Sequence, residues 1–266
     1  MKIVGQEKLV SMIEEHTLDT FPRSVMLVGP SGSGKHSLCS FISTKLNLKI
    51  ENITENLTLE MIEEISVRVE PRIYVIETSK ITVKEENTIL KFLEEPLKNA
   101  YIVLLCESKN RLLDTIINRC QVWTLEAYSK ETLTQFVSDG NEERDLILEL
   151  AHTPGEVKKY NSIKLSDYVL LASKLVNMID IASVPNTLTL VDKLCYKNEK
   201  DKLDADIFFN VLLHQAYLLA ITGEKPYGSI CYDLTDKLVN ESLVANIDKK
   251  NLFERYLIML WRAVRA

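Results

Sequence analysis

The sequence predicts an α/β domain built on a parallel sheet, followed by a region made of helices alone. Three observations lead to this. Residues 24–37, SVMLVGPSGSGKHS, run from an apolar strand through a glycine-rich turn into a helix. Four further apolar runs of strand length alternate with helix-period segments up to residue 126, and after Glu126 the strand pattern stops. Strands that alternate with helices and are apolar on both faces belong to a parallel sheet covered on both sides.

Taken in order, Leu9, Val10 and Ile13 give a short helix over 8–16, and Pro22 punctuates the approach to the first strand. Beyond the glycine turn, Leu38, Phe41, Ile42 and Leu46 continue a helix, and residues 48–50 read as a second short strand. Met61, Ile62, Ile65 and Val69 have helical spacing and end before Pro71. Residues 72–76 form the third strand. A helix from Lys84, with Ile89, Leu90 and Leu93, stops at Pro96. The strongest strand, 101–106, follows it, then a helix over 112–117 and a fifth strand over 121–125. Ser129 suits a helix cap, Asp145 to Ala151 gives a second short helix, and Pro154-Gly155 opens a third. Helical period then recurs in Tyr168, Leu171, Ala172, Leu175 and Ile179, in Ile207, Val211, Leu212, Leu218 and Leu219, and in Leu252, Tyr256, Leu257 and Leu260, with linkers near Val184-Pro185 and over 223–228.

Composition narrows the function. In 266 residues, 46% hydrophobic and 26% charged content is that of a globular chain, and a net charge of −6 argues against a free-standing nucleic-acid binder. The five cysteines (39, 106, 120, 195 and 231) contain no Cys-x-x-Cys pair, so no zinc is expected, and they read as thiols of a reducing compartment. No apolar run has membrane-spanning length, and the N-terminus lacks a basic-then-apolar leader. The expectation is a cytoplasmic protein that meets no membrane.

The glycine turn reads as a phosphate-binding loop. Gly29, Gly32 and Gly34 allow backbone N–H groups to curl toward an anion, Lys35 adds a point charge, and the helix that follows begins with its positive dipole end there. The candidate binding residues are Gly29, Gly32, Ser33, Gly34, Lys35, His36 and Ser37, and the ligand they admit is ATP or ADP. The position after the lysine should carry Ser or Thr to hold Mg²⁺, and here it is His36. Ser37 lies about 100° further around the helix and does not simply replace that ligand. The same spacing also fits a glycine turn that never holds phosphate.

A second stretch is more specific. Residues 86–96, ENTILKFLEEP, are followed by the strand 101–106 and by 112–120, LLDTIINRC; together with Val4-Gly-Gln6 they resemble clamp-loader subunits of the AAA+ family, most of all its delta-prime branch in bacterial DNA polymerase III. The resemblance spans about residues 1–165. It implies an AAA+ phosphate-loop domain over 1–126, a helical lid over 127–165 and a helical collar over 166–266. In active relatives the third strand ends in Asp-Glu; here Glu77 and Thr78 stand there. Sensor 1 aligns with Glu107, sensor 2 with Lys158, and Thr153-Pro-Gly resembles a lid motif. With His36, Thr78 and Glu107 in place, hydrolysis by this chain is not expected. The family's trans-acting arginine survives as Arg119 in Asn118-Arg-Cys120. The implied role is a non-hydrolysing subunit that lends Arg119 to a neighbour's ATP site, with other clamp-loader subunits, the sliding clamp and primer–template DNA as partners. Two other readings stay open: an active ATPase using Ser37 and Glu77 to order metal, and a scaffold that kept the fold alone. Glu94-Glu95 reads as structural or interfacial, and His16, His152 and His214 share no metal spacing. The helix carrying Arg255 and Arg265 suits bundle packing through Leu257, Leu260, Trp261 and Val264.

Overall fold

Successive side chains of a strand point to opposite faces, so a strand buried along its whole length must be covered on both. β1 (Ser24–Val28) meets this condition at every position in a computed structural model of the chain, which describes residues 3–53, 58–94, 97, 99–109, 112–179, 203–243 and 247–265. Its neighbours are β2 (Lys49–Ile53), β3 (Arg72–Glu77), the fully buried β4 (Ala100–Cys106) and β5 (Gln121–Thr124). The five form one parallel sheet in the order β2-β3-β4-β1-β5, with Val25 opposite both Val103 and Gln121. The two edge strands carry the polar, solvent-facing positions, where they are tolerated.

Helices cover both faces. α1 (Glu7–Glu15) and α2 (Lys35–Leu46) pack Leu9, Ile13, Leu38 and Ile42 against Val25, Leu27, Val103 and Leu105. On the other side α3 (Leu59–Ser66), α4 (Val83–Glu94) and α5 (Asp114–Ile117) bring Ile65, Ile89, Phe92 and Ile116 onto Met26, Tyr74, Ile102 and Leu104. Truncating one such leucine to alanine costs about 2–5 kcal/mol. β1 leads into α2 on one face and its neighbour β4 leads into α5 on the other. The crevice between their C-terminal ends is where a parallel sheet takes ligands.

Three elements differ from the sequence reading; β2 runs on to Ile53, past the expected 48–50. The helix expected to include Val69 ends at Ser66, and Val69 is 84% exposed. Arg68 explains the stop: it is tied to Glu51 on the edge strand, and its carbonyl accepts from Asn99 Nδ2. The helix expected over 112–117 is a single turn beginning at Asp114.

The chain divides into two compact units, Met1–Val137 with Ala151–Lys159, and Ser138–Leu150 with Tyr160–Ala266. The first contains the sheet, α6 (Lys130–Thr134), N-capped by Ser129, and nearly all of α8 (Pro154–Tyr160). The second contains α7 (Arg144–Leu150), α9 (Leu165–Met178), α10 (Ala205–Thr222), α11 (Gly228–Ser242) and α12 (Lys249–Arg265), all helical among its described residues. At its centre Phe253 stacks on Tyr256 and meets Phe208 edge-on and Phe209 at a tilt, and the Tyr256 hydroxyl meets Thr235 Oγ1 at 2.8 Å. Glu143 accepts from the backbone N–H groups of Leu165 and Ser166, the first donors of α9. α10 is long and apolar enough to cross a membrane by length and composition, yet it buries Ile207, Phe208, Phe209, Val211 and Leu212 within this unit. On α12, Leu257 and Leu260 are buried as packing requires, whereas Trp261 and Val264 are only half-buried; Arg265 lies over the Trp261 ring. Gly223, at φ +66°, ends α10 before the 223–228 link. The link expected near Val184-Pro185 lies outside the described residues.

Candidate functional site

The glycine loop is fixed from three sides, all within the first unit. Gly29 donates its N–H to the Cys106 carbonyl at 3.0 Å, tying the start of the loop to the end of β4. Gly32 has φ +74° and Gly34 φ +94°, a left-handed backbone that glycine adopts at little cost. The first turn of α8 sits on Gly32: Gly155 donates to its carbonyl at 3.0 Å, and a Cβ on Gly155 would stand 2.5 Å from the Gly32 Cα. On another side the Tyr128 hydroxyl donates to the Ser33 carbonyl at 2.8 Å, while its ring lies so close to Gly5 that a Cβ there would meet it at 2.7 Å. Gln6 holds that tyrosine's segment in place, its side-chain amide bonding both the carbonyl and the N–H of Glu126. Val4-Gly-Gln6 therefore has a local task, stapling the chain entry to the strap behind the loop.

The loop opens on a cleft of about 300 Å³ lined by Ser31, Gly32, Gly34, Lys35, His36, Ser37, Glu77, Ser79, Leu105 and Glu107. Of the seven candidate binding residues, five line it. Gly29 and Ser33 lie outside that lining, and the Ser33 hydroxyl is buried with no hydrogen-bond partner. Lys35 Nζ curls back onto the carbonyls of Gly29 and Pro30 at 2.5 and 2.8 Å. Burial lowers its pKa, opposed by the negative charges of Glu107 and Glu77. His36 Nε2 lies 3.0 Å from Glu77 Oε1. An ionised carboxylate only accepts, so that nitrogen carries the proton and is the donor. Thr78 turns its hydroxyl away, donating to the Leu105 carbonyl at 3.0 Å.

This set does not fit Mg²⁺. That ion demands oxygen ligands in near-octahedral array at about 2.0–2.1 Å. The position where a hydroxyl would meet it presents an imidazole N–H, and the carboxylate opposite is engaged by that same N–H. Among the described residues, no group of three or more His, Cys, Asp or Glu side chains could hold a metal.

Arg119 stands apart from the cleft, just past α5. Its guanidinium donates to the Thr115 carbonyl at 2.8 Å and to Glu94 Oε1 at 2.6 Å, and about a third of the side chain (36%) remains exposed. Glu94 closes α4, so the two diagnostic stretches meet in this one ion pair; Glu95 is outside the described residues. Lys158 is exposed on α8 and is not part of the cleft lining. His16 stacks on Trp123, His214 pairs with Glu149 in the second unit, and His152 is exposed. Burial pushes the thiols of Cys39 and Cys120 up to about 12 and that of Cys231 to about 11, which leaves them unreactive.

Sequence reasoning did not single out Tyr128, Ser79 or the pairing of His36 with Glu77. A lone tyrosine after a strand carries no spacing signal, and 41 positions separate His36 from Glu77. Thr153-Pro-Gly was visible as a motif, but its seat on Gly32 follows only from the fold.

Residues 32–129 match the sequence model of a family described as DNA polymerase III, delta subunit. The DNA polymerase III subunit delta' of Haemophilus influenzae is 34% identical over 85 residues, covering 31% of this chain and 26% of that protein. The subunit of the same name from Bacillus subtilis is 49% identical over 51 residues, 19% of this chain and 16% of that one. In both, the match spans well under two thirds of the relative's length. Among solved structures, a DNA polymerase III gamma subunit-related protein of Thermotoga maritima aligns with TM-score 0.51 at 17% identity, over 98% of this chain and 100% of that one. A RuvB variant of Thermotoga maritima aligns with TM-score 0.52 at 16% identity, over 96% and 88%. The fold is that of AAA+ proteins, and the segment from the phosphate loop to the strap is similar to that of delta-prime subunits.

Proposed function

From an AAA+ fold whose middle segment is delta-prime-like, we propose that this chain is a non-hydrolysing subunit of a clamp loader in bacterial DNA replication, contributing Arg119 in trans to a neighbouring subunit's ATP site. Its partners are then the other clamp-loader subunits and, through the assembly, the sliding clamp and primer–template DNA, all in the cytoplasm. Residues 1–126 supply the phosphate-loop domain, 127–165 the lid and 166–266 the collar that holds the assembly. ATP or ADP is the ligand class its own loop would take, without turnover.

The observation that carries the reading is Arg119: a partly exposed guanidinium, oriented by an exposed carboxylate and a helix carbonyl, on a chain whose third strand is followed by Thr78, its hydroxyl given to the Leu105 carbonyl, where the resemblance expects a glutamate to polarise water. A guanidinium reaching across an interface stabilises charge on a transferring phosphoryl group, an effect worth about 10³–10⁵ in rate in arginine-finger systems. The test is reconstitution of the complex with Arg119→Ala. ATP hydrolysis at the neighbouring site that Arg119 serves, and with it clamp loading, is expected to fall by about tenfold or more. Unchanged rates overturn the role. The rival reading, an ATPase ordering metal through Ser37 and Glu77, is opposed by the engagement of Glu77 with His36.

A further inference from the structure

The bond between His36 and Glu77 occupies the place where a phosphate loop and the third strand would otherwise share a cation. It bears on which ligand the cleft takes. A nucleoside triphosphate normally arrives with Mg²⁺, whose charge offsets the phosphates and whose oxygen shell is completed by the protein. Here the imidazole N–H spans that space and takes one oxygen of the carboxylate that would have faced the ion. The anion-binding parts are nonetheless in place. Gly32 and Gly34 hold the left-handed turns, α2 begins at Lys35 with twelve residues of aligned dipole behind it, and Lys35 and His36 both line the cleft. The loop needs no ligand to shape it, because Gly155 and Tyr128 hold it from outside.

We propose that this cleft binds the phosphate groups of a diphosphate without any divalent cation, His36 and Glu77 closing the metal position as a hydrogen-bonded pair. This deepens the reading of a non-hydrolysing cis site and rests on it. Charge sets the preference for two phosphates over three. Glu77 and Glu107 both line the cleft, and with no cation between them and a third phosphate, each added negative charge is opposed. The recognised chemistry is the diphosphate itself, whether carried by a nucleoside diphosphate or free as pyrophosphate.

The experiment is calorimetric titration of the full chain with ADP, pyrophosphate and ATP, each in Mg²⁺ and in EDTA. Affinities for ADP and pyrophosphate are expected to agree within about twofold between the two buffers, and ATP in EDTA to bind about tenfold more weakly than ADP. Lys35→Ala should abolish binding, which locates it in the cleft. His36→Thr, at an exposed position, should keep the fold and make ADP binding stronger in Mg²⁺ than in EDTA by about fivefold or more. ADP binding more tightly than pyrophosphate identifies a nucleotide as the source, and equal binding identifies the phosphates alone; either supports the proposal. Binding that requires Mg²⁺ but proceeds without turnover overturns it and leaves the non-hydrolysing role standing. Absence of binding in both buffers, or a His36→Thr chain indifferent to Mg²⁺, also overturns it without touching the role of Arg119. Magnesium-dependent hydrolysis by the isolated chain overturns both.

Discussion

Two hydrogen-bonded carboxylates in the first unit use the same chemistry to opposite ends. In the cleft, Glu77 takes the proton-bearing nitrogen of His36 and in doing so fills the space a metal would need. At the surface, Glu94 takes one edge of the Arg119 guanidinium and leaves a third of that side chain in solvent. A carboxylate paired inside a cleft closes a site, whereas a carboxylate paired on an exposed turn orients one. The two pairs are about equally exposed, so their place in the fold, and not burial or residue type, is what separates them. Acidic side chains beside a phosphate loop are therefore poor evidence of catalysis until their partners are known.

The cleft is most readily disrupted through the loop's backbone. Gly32→Ala would put a Cβ 2.8 Å from Thr153 Oγ1 and 2.9 Å from the Gly155 Cα at φ +74°. Left-handed strain of about 1–2 kcal/mol adds to a backbone clash of similar size. A loss of about 3 kcal/mol in urea unfolding is expected, together with loss of diphosphate binding, while Arg119 keeps its place. If stability and binding are unchanged, α8 is not seated on the loop. A smaller effect is expected from Tyr128→Phe, which deletes the hydroxyl bonded to the Ser33 carbonyl but keeps the ring against Gly5. Leaving that carbonyl without its donor should cost about 1 kcal/mol and weaken diphosphate affinity several-fold; unaltered binding would show that the loop needs no strap.

How much of this could be read from the sequence depends on the kind of signal. The sheet was legible because strands buried on both faces leave unbroken apolar runs, such as Ile102 to Leu105. The glycine turn was legible because glycines with positive φ have fixed spacing. Val69 misled because helical spacing continues in the letters past Ser66, where Arg68 turns toward Glu51 and ends the helix. The departure at His36 was visible, but not its partner on another strand. Arg119 was singled out only through its resemblance motif, since an isolated arginine after a one-turn helix has no period to mark it. Gly155 shows the limit plainly: a glycine's close neighbour is a property of the fold, and here that neighbour lies more than a hundred positions earlier.

Among the carboxylates, Glu143 carries a pH dependence of its own. Partial burial raises its pKa, but hydrogen bonds from the Ser166 side chain and the backbone N–H groups of Ser166 and Leu165 outweigh this and hold it below the usual carboxylate range. A carboxyl with a lowered folded pKa contributes stability that is complete above its unfolded value, about 4.3, and is lost as pH falls through the folded one. Glu143→Gln should therefore lower stability by about 1 kcal/mol at neutral pH, the size of a lost helix cap. The difference from the parent chain should vanish in strong acid. Urea melts of both chains across the acid range check this, and a difference independent of pH would mean that the cap does not titrate.

The smallest effect on stability, and the most telling for the surface pair, belongs to Glu94→Gln. With 36% and 49% of the two side chains exposed, the bond to Arg119 should contribute less than about 0.5 kcal/mol to folding, and urea melts should barely move. Its consequence lies in orientation. The substituted amide would still offer a carbonyl oxygen to the guanidinium but without charge, so a finger held by Glu94 becomes less well placed rather than absent. If Arg119 acts in trans as proposed, this should lower the maximal rate of ATP hydrolysis at the neighbouring site several-fold in the reconstituted complex and leave the KM for ATP unchanged, because an arginine finger stabilises the transferring phosphoryl group rather than the bound nucleotide. Glu94→Ala should go further in the same direction while still sparing the fold. Should both variants match the parent in maximal rate while Arg119→Ala does not, the arginine acts without its carboxylate. Closing a cleft would then need its glutamate, and presenting an arginine would not.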